Sequence, residues 1–420
     1  MTEALILLAG VLALLAIRQN VVVVLLCATL YIHLVWGDGV MIYVVEDMWI
    51  SLNNEVLLAI PIFLIAGNLM TRGSIARRLI DVARLATCYL PGGLGVATIL
   101  SCAMFAAISG SSPVTLLAVG AILYPALLEN GYPKKFALGA LTSGGTLGII
   151  IPPSIPLILY GLVTEKSISD LFIAGIIPGI MLTAGLAGYA LYANRMMPTQ
   201  PFDAGAFGRA LKDGIWSLMM PVILLGGIYS GFFSPTEAAA VALAYGLVVE
   251  MFIHRELKLR DFYLTMVDTA RLLGMLFPIV AVALSIKTIL TIHQVPQGLA
   301  EWVTSLVDNK YAFLIAVNIL LLVVGCLFEV VAAILVLGPL LMTAAMAYGI
   351  DPIHFGIIMV INLEIGFLTP PIGLNLIVAM TAFKEKFGEI CVAVLPFIGI
   401  IFTVLMIVTF WEWPTRVLLE

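Results

Sequence analysis

Charge is scarce in this sequence. Of 420 residues only 20 are Lys or Arg and 25 Asp or Glu, 11% together, where soluble domains carry about 25%. The residues A, V, I, L, M, F, W, Y and C make up 62%, and so few charged side chains cannot cover that much apolar surface in water. A soluble globule is excluded, and a polytopic protein of the lipid bilayer is implied. Net charge is −5 with no basic stripe, which excludes a nucleic-acid partner. Cysteine is also thin. Cys27, Cys88, Cys102, Cys326 and Cys391 stand apart in apolar runs, without a CxxC pair or a nearby histidine cluster; they read as small buried hydrophobes. HExxH and GxSxG are missing, and no histidine is placed to activate Ser111 or Ser112, so an intramembrane hydrolase lacks its base. No enzyme is expected. A secretory signal is not expected either: Ala4–Ile17 follows an acidic start and leads into Arg18-Gln19-Asn20 rather than a cleavage site.

What the sequence has is long apolar runs. Spanning takes about 20 such residues, and the runs at 4–17, 20–36, 55–71, 136–163, 169–193, 214–232, 236–254, 271–292, 354–382 and 388–411 qualify. Two more, 92–129 and 311–348, are interrupted near their middles and are expected to double back as re-entrant hairpins. With the N-terminus outside, 16 of the 20 basic residues fall on the cytoplasmic side, leaving Lys166, Lys287, Lys310 and Arg416 outside. Both termini are then periplasmic. Arg72–Tyr89 and Asp38–Asn54 are amphipathic and are expected to lie along the inner and outer interfaces.

The chain repeats itself. Ala118–Pro153 aligns with Val336–Pro371 at an offset of 218 without a gap, and six of the seven identities are small residues, Gly or Pro. These are positions with backbone meaning. One copy enters from each side, so the repeat is inverted, and inverted repeats with broken helices belong to secondary transporters. The predicted organisation is scaffold helices and an outer interfacial segment over 1–54, a first repeat over 55–195, connecting scaffold helices over 196–270 and a second repeat over 271–420.

Each repeat supplies a hairpin and a broken helix. The first tip is Ala107-Ile108-Ser109-Gly110-Ser111-Ser112-Pro113, and the first break runs from Ser143-Gly144-Gly145 to Pro152-Pro153-Ser154. Adjacent prolines remove two backbone donors and free carbonyls a turn earlier. Non-helical backbone at membrane depth persists only inside protein or along a cavity, and oxygens gathered there suit a hard cation such as Na⁺. The second tip reads Gly325-Cys326-Leu327-Phe328-Glu329, and the second break holds Glu364, Gly366, Thr369, Pro370-Pro371 and Asn375. Glu329 and Glu364 are carboxylates in apolar segments, where ionisable groups are usually functional. Lys287 either snorkels to the outer interface or pairs with a substrate carboxylate; Ser154, Asn375 and Glu364 are further candidate substrate contacts. Gly144-Gly145 also suits close helix packing, and Ser234-Pro235-Thr236-Glu237 reads as a helix cap rather than a site.

The tip SGSSP, the run TSGGTLGIIIPPSIPLILYG, the segment GIYSGFFSPTEAAAVALAYG and the second GFLTPPIGLN together resemble the large membrane subunit of TRAP (tripartite ATP-independent periplasmic) transporters. The resemblance covers nearly the whole chain. It implies an all-α polytopic fold of elevator type, as in the ion-transporter superfamily: an inverted repeat with two re-entrant hairpins and two broken helices. It further implies a sodium-driven importer of small organic acids in the bacterial inner membrane, working with a small membrane (Q) subunit and a periplasmic solute-binding protein. By the same resemblance, Na⁺ sites fall at Ser109, Gly110, Ser111 and Ser112 with Gly144, Gly145 and Pro152, and at Gly325 and Glu329 with Gly366 and Thr369. A stand-alone Na⁺/carboxylate symporter or antiporter is the alternative.

Overall fold

The computed structural model describes residues 2–17, 19–37 and 39–420; Met1, Arg18 of the first basic turn and Asp38 of the outer segment lie outside the described residues. Within those residues there are helices and connections and no strand. In chain order they begin with α1 (Thr2–Ala16), α2 (Val21–Trp36) and α3 (Ile42–Leu52), followed by α4 (Ala59–Arg72) and α5 (Ile75–Thr87). The first hairpin is α6 (Gly93–Ser109) with α7 (Ser112–Glu129), and the first broken helix is α8 (Lys134–Thr146) with α9 (Ile155–Thr164). Three long helices come next, α10 (Ile168–Ala193), α11 (Ala204–Tyr229) and α12 (Pro235–Val248), then α13 (Leu259–Ile292) and the short α14 (Val295–Leu306). The second hairpin is α15 (Lys310–Leu327) with α16 (Val330–Ala347), and the second broken helix is α17 (Pro352–Phe367) with α18 (Leu374–Phe383); α19 (Phe387–Phe410) and α20 (Trp413–Arg416) end the chain.

The offset of 218 found over 36 positions governs far more of the chain. Adding it to α5, α6, α7, α8, α9 and α10 lands within three residues of the bounds of α14, α15, α16, α17, α18 and α19, and it carries α4 into α13. Pro178 inside α10 and Pro396 inside α19 pair at the same offset, and in both breaks the Pro–Pro peptide is cis. The copies are inverted. The open end of the first hairpin adjoins Lys134, which pairs with Glu389 at the start of α19. The open end of the second adjoins Lys310, which pairs with Glu412 beyond the end of α19. A helix of 24 residues separates those two ends by roughly 36 Å at 1.5 Å per residue.

Among the described residues nine helices are long and apolar enough to cross a membrane. Three of them (α7, α15 and α16) are hairpin arms; the two predicted broken runs drop out because each is cut into two shorter helices, and the expected spans at 4–17 and 20–36 drop out because their helices are only 15 and 16 residues long. α11 and α13 start earlier than the apolar runs at 214–232 and 271–292, because their polar first turns are helical too. At 34 residues α13 extends about 51 Å, well beyond a hydrocarbon core of about 30 Å. α5 is amphipathic as expected: Ile75, Leu79, Ile80 and Ala83 are buried while Arg77 and Arg84 are exposed. The Ser234 motif is a cap. Its hydroxyl accepts from Glu237 N and the Glu237 carboxylate accepts from Ser234 N at 2.8 Å, which satisfies two of the unpaired donors at the start of α12.

Candidate functional site

The first tip is built on a glycine in the left-handed region, Gly110 with φ 61, where a side chain would be strained. A Cβ there would stand 2.7 Å from the Pro153 carbonyl oxygen, so the tip lies directly on the first break. Ile155 N donates to the Gly110 carbonyl at 3.2 Å across that contact. A Cβ on Gly148 would meet the Ser111 carbonyl at 2.7 Å from the other side. Within the tip, the Ser109 and Thr115 hydroxyls are 2.7 Å apart and Thr115 donates to the Ser111 carbonyl at 2.9 Å. Thr115 escaped the sequence reading; the signal was its place one helical turn after Ser111.

The second tip packs still closer. A Cβ on Gly366 would come within 2.5 Å of the Gly325 carbonyl group, so the two glycines let backbone rest on backbone. Ile372 N reaches the Cys326 carbonyl at 3.4 Å, the counterpart of the Ile155–Gly110 contact. Glu329 begins α16, its carboxylate accepting from Ala332 N at 3.3 Å, and the Thr369 hydroxyl donates to Ile365 O at 2.7 Å.

Between the two broken helices lies a buried polar core. Thr146 donates to Glu364 Oε1 at 2.5 Å. These two residues are mates at the 218 offset, so the pseudo-two-fold axis relating the halves passes between them. Asn375 donates to Ser112 Oγ at 2.6 Å and to Thr142 O at 3.2 Å, tying the second break to the first tip. Asn362 donates to Asn318 Oδ1 on the hairpin arm α15 at 2.7 Å. Sequence reasoning found Glu364 and Asn375 and placed Ser143 in the first break, but it singled out neither Thr142 nor Thr146, although the offset that defines the repeat points from Glu364 to Thr146. Several buried oxygens of this core, on Thr142, Ser143, Asn362, Glu364 and Asn375, find no hydrogen-bond partner. Among the described residues no cluster of His, Cys, Asp or Glu suits a transition metal. An all-oxygen donor set of hydroxyls, carbonyls and an occasional carboxylate fits a hard cation.

The tips and breaks converge on one cavity of about 300 Å³. Gly110, Ser111 and Ser112 line it from the first tip, Glu329 from the second, Ile149 and Phe367 from the breaks, and Leu64, Met275 and Ile279 from α4 and α13. The helices α7, α9, α16 and α18 all begin at its wall. No Lys, Arg or His lies among its lining residues.

Other predicted residues lie away from it. Ser154 is fully buried; its hydroxyl donates to Ile149 O at 2.5 Å and accepts from Leu157 N at 3.3 Å, capping α9. Gly144 and Gly145 let α8 press on both hairpin arms, since a Cβ there would meet Cys102 Sγ at 2.9 Å and Leu116 Cβ at 2.8 Å. Lys287 is not among the residues that line the cavity and stands 2.9 Å from Glu165, beyond the end of α9. That ammonium holds the Glu165 carboxyl below its usual range.

The model of the DctM component of the tripartite ATP-independent periplasmic transporters matches residues 8–413. The C4-dicarboxylate TRAP transporter large permease protein DctM of Pseudomonas aeruginosa is 44% identical over 361 residues, covering 85% of this chain and 84% of that one. The isethionate TRAP transporter permease protein DctMQ of Oleidesulfovibrio alaskensis is 40% identical over 88% of this chain and 59% of its own length. The ectoine TRAP transporter large permease protein TeaC of Halomonas elongata is 36% identical over 86% of both. Among solved structures, the YdaH transporter of Alcanivorax borkumensis superposes with a TM-score of 0.65 at 16% identity, covering 91% of each chain. That likeness bears on the fold alone.

Proposed function

The chain belongs to the DctM family of tripartite ATP-independent periplasmic transporters, and from that premise we propose that it is the large carrier subunit of a sodium-driven importer of small organic acids. It works in the bacterial inner membrane with a small membrane subunit and a periplasmic binding protein that delivers the substrate; one relative bears the name DctMQ. Both termini face the periplasm.

The observation that carries this reading is the cavity shared by both tips and both breaks. Its walls are largely apolar and four helices begin at its edge, where the partial positive charge of a helix N-terminus favours an anion. No basic side chain is among its lining residues, and Glu329 adds a carboxylate. An organic anion entering there needs positive charge from elsewhere, and co-transported Na⁺ supplies it. The oxygens of Ser109, Gly110, Ser111 and Ser112, with Gly144, Gly145 and Pro152, would hold one ion; those of Gly325, Glu329, Gly366 and Thr369 would hold another. Inward movement of the cation provides about 2.3 kcal/mol per charge per 100 mV. The block carrying hairpins and broken helices then slides against α4, α12 and α13 as an elevator.

The test is uptake of labelled succinate, isethionate and ectoine into proteoliposomes holding the chain and its small subunit, with and without the binding protein and an inward Na⁺ gradient. Uptake that requires both supports the tripartite importer. Equal uptake without binding protein points to a stand-alone carrier, and uptake indifferent to Na⁺ removes the cation assignments.

A further inference from the structure

One buried carboxylate stands outside the site just described. Glu250 is 0% exposed and lies in a π-helical turn, Val249–Ile253, at the end of α12. Its Oε1 accepts from the Ser74 and Ile75 backbone N–H groups, both at 2.7 Å, and its Oε2 accepts from the Ser74 hydroxyl at 3.2 Å. The first N–H groups of a helix have no partner within it, and Ser74 does not cap α5 itself. A carboxylate from another helix therefore does so, where the helix dipole favours it. The fit leaves no spare room: a Cβ on Gly73 would stand 2.3 Å from that carboxylate. Arg78 adds a second tie, from Nε to Ser74 Oγ at 3.2 Å and from its guanidinium to Glu256 at 3.0 Å.

The two ends of α5 are thus differently attached. Its start is fastened to the end of α12, while its own end leads through Gly92, with φ 68, into the first hairpin arm. Thr87 secures that far end by donating to Gly93 O at 2.8 Å. Its repeat mate α14 likewise begins without a cap from its own first residue, Gln294.

We propose that Glu250 is the fulcrum of the first hairpin's arm: a positioning residue that keeps the start of α5 fixed on α12 while its far end travels with the hairpin. The proposal rests on the elevator reading above. A fulcrum contact persists through the whole cycle, unlike a contact between the moving block and the scaffold such as Glu165–Lys287.

The test uses the full transporter with its binding protein in proteoliposomes, following labelled succinate or whichever acid of the panel above is taken up. Glu250→Ala is expected to lower the maximal uptake rate about tenfold with substrate KM and Na⁺ dependence unchanged. Glu250→Gln, which keeps the acceptor for both N–H groups, is expected to stay within about twofold of the parent. In a background with the five native cysteines replaced, Ser74→Cys with Glu250→Cys is bridged by a short bifunctional thiol reagent, and Glu165→Cys with Lys287→Cys likewise. Each bridged protein is compared with its own unbridged double-cysteine form: the rate left by Ser74→Cys with Glu250→Cys, already lowered by loss of the carboxylate, is expected to be unchanged by bridging, whereas uptake stops under the second bridge and recovers on release. Arrest by the Ser74–Glu250 bridge, or a KM change at full rate in Glu250→Ala, overturns the fulcrum and leaves the elevator standing. Uptake that survives both bridges overturns the elevator reading, and the fulcrum with it. Should Glu250→Ala fail to reach the membrane, the glutamine variant and the two bridges decide.

Discussion

At Gly366 a single methyl group would meet backbone rather than a side chain able to swing away. Overpacking of that kind costs about 1–3 kcal/mol. Gly366→Ala is therefore expected to abolish uptake and lower the thermal unfolding midpoint in detergent, while Gly388→Ala, with nothing within 4 Å of its Cβ, leaves both unchanged. An uptake assay on the two variants at matched membrane levels checks this. Gly366 was readable in the sequence because it sits before a Pro–Pro pair and recurs as Gly148. Thr146 and Thr115 were not singled out: a threonine in an apolar run is common, and only packing makes these two meet Glu364 and Ser109.

The elements are joined across the repeat at their ends. Tyr124 on α7 donates to Glu385 at 2.8 Å, and Lys134 at the start of α8 bridges Glu385 at 2.5 Å and Glu389 at 2.9 Å. Phe383 stacks on Tyr124 with ring centroids 4.5 Å apart. The Lys134 hydrogen bond, and then that of Tyr124, hold the Glu385 carboxyl below its ordinary value of 4.5. A carboxyl lowered in the folded state stabilises at pH values above its unfolded pKa, and that contribution disappears as pH falls through the folded value. The thermal midpoint of the parent is thus expected to exceed that of Glu385→Gln at pH 7, and the gap to close as pH drops below 4.5. Scans of both proteins in detergent across that range measure it; a gap that persists in acid removes the network from the account. Helix starts were legible locally, as at Ser234 and Glu237, because a cap is written within four residues. The Tyr124–Glu385–Lys134 network was not, because its members lie far apart in the chain.

For the whole molecule, the distribution of basic residues sets the expected orientation. Single cysteines at Lys166 and Asp308 are expected to react with an impermeant thiol reagent added outside intact cells, and one at Lys212 only after permeabilisation. The reverse pattern would invert the topology and place both termini in the cytoplasm. Inversion also accounts for the central geometry: two copies entering from opposite ends bring their tips together, so one cavity receives Ser111 and Glu329 from separate repeats.

The sequence by itself determined the environment, the helical class and the repeat, since apolar excess, run length and paired glycines and prolines are local or periodic quantities. It also marked the tips and breaks, where Gly, Ser and Pro have backbone consequences that need no partner. Only the tertiary structure decided which oxygens meet. It set Thr146 against Glu364 on the pseudo-two-fold axis, seated Asn375 on Ser112, turned the Ser154 hydroxyl inward as a cap and left Lys287 with Glu165 away from the cavity. Long-range partnership between buried polar groups depends on how helices cross, and no spacing along one chain records that angle.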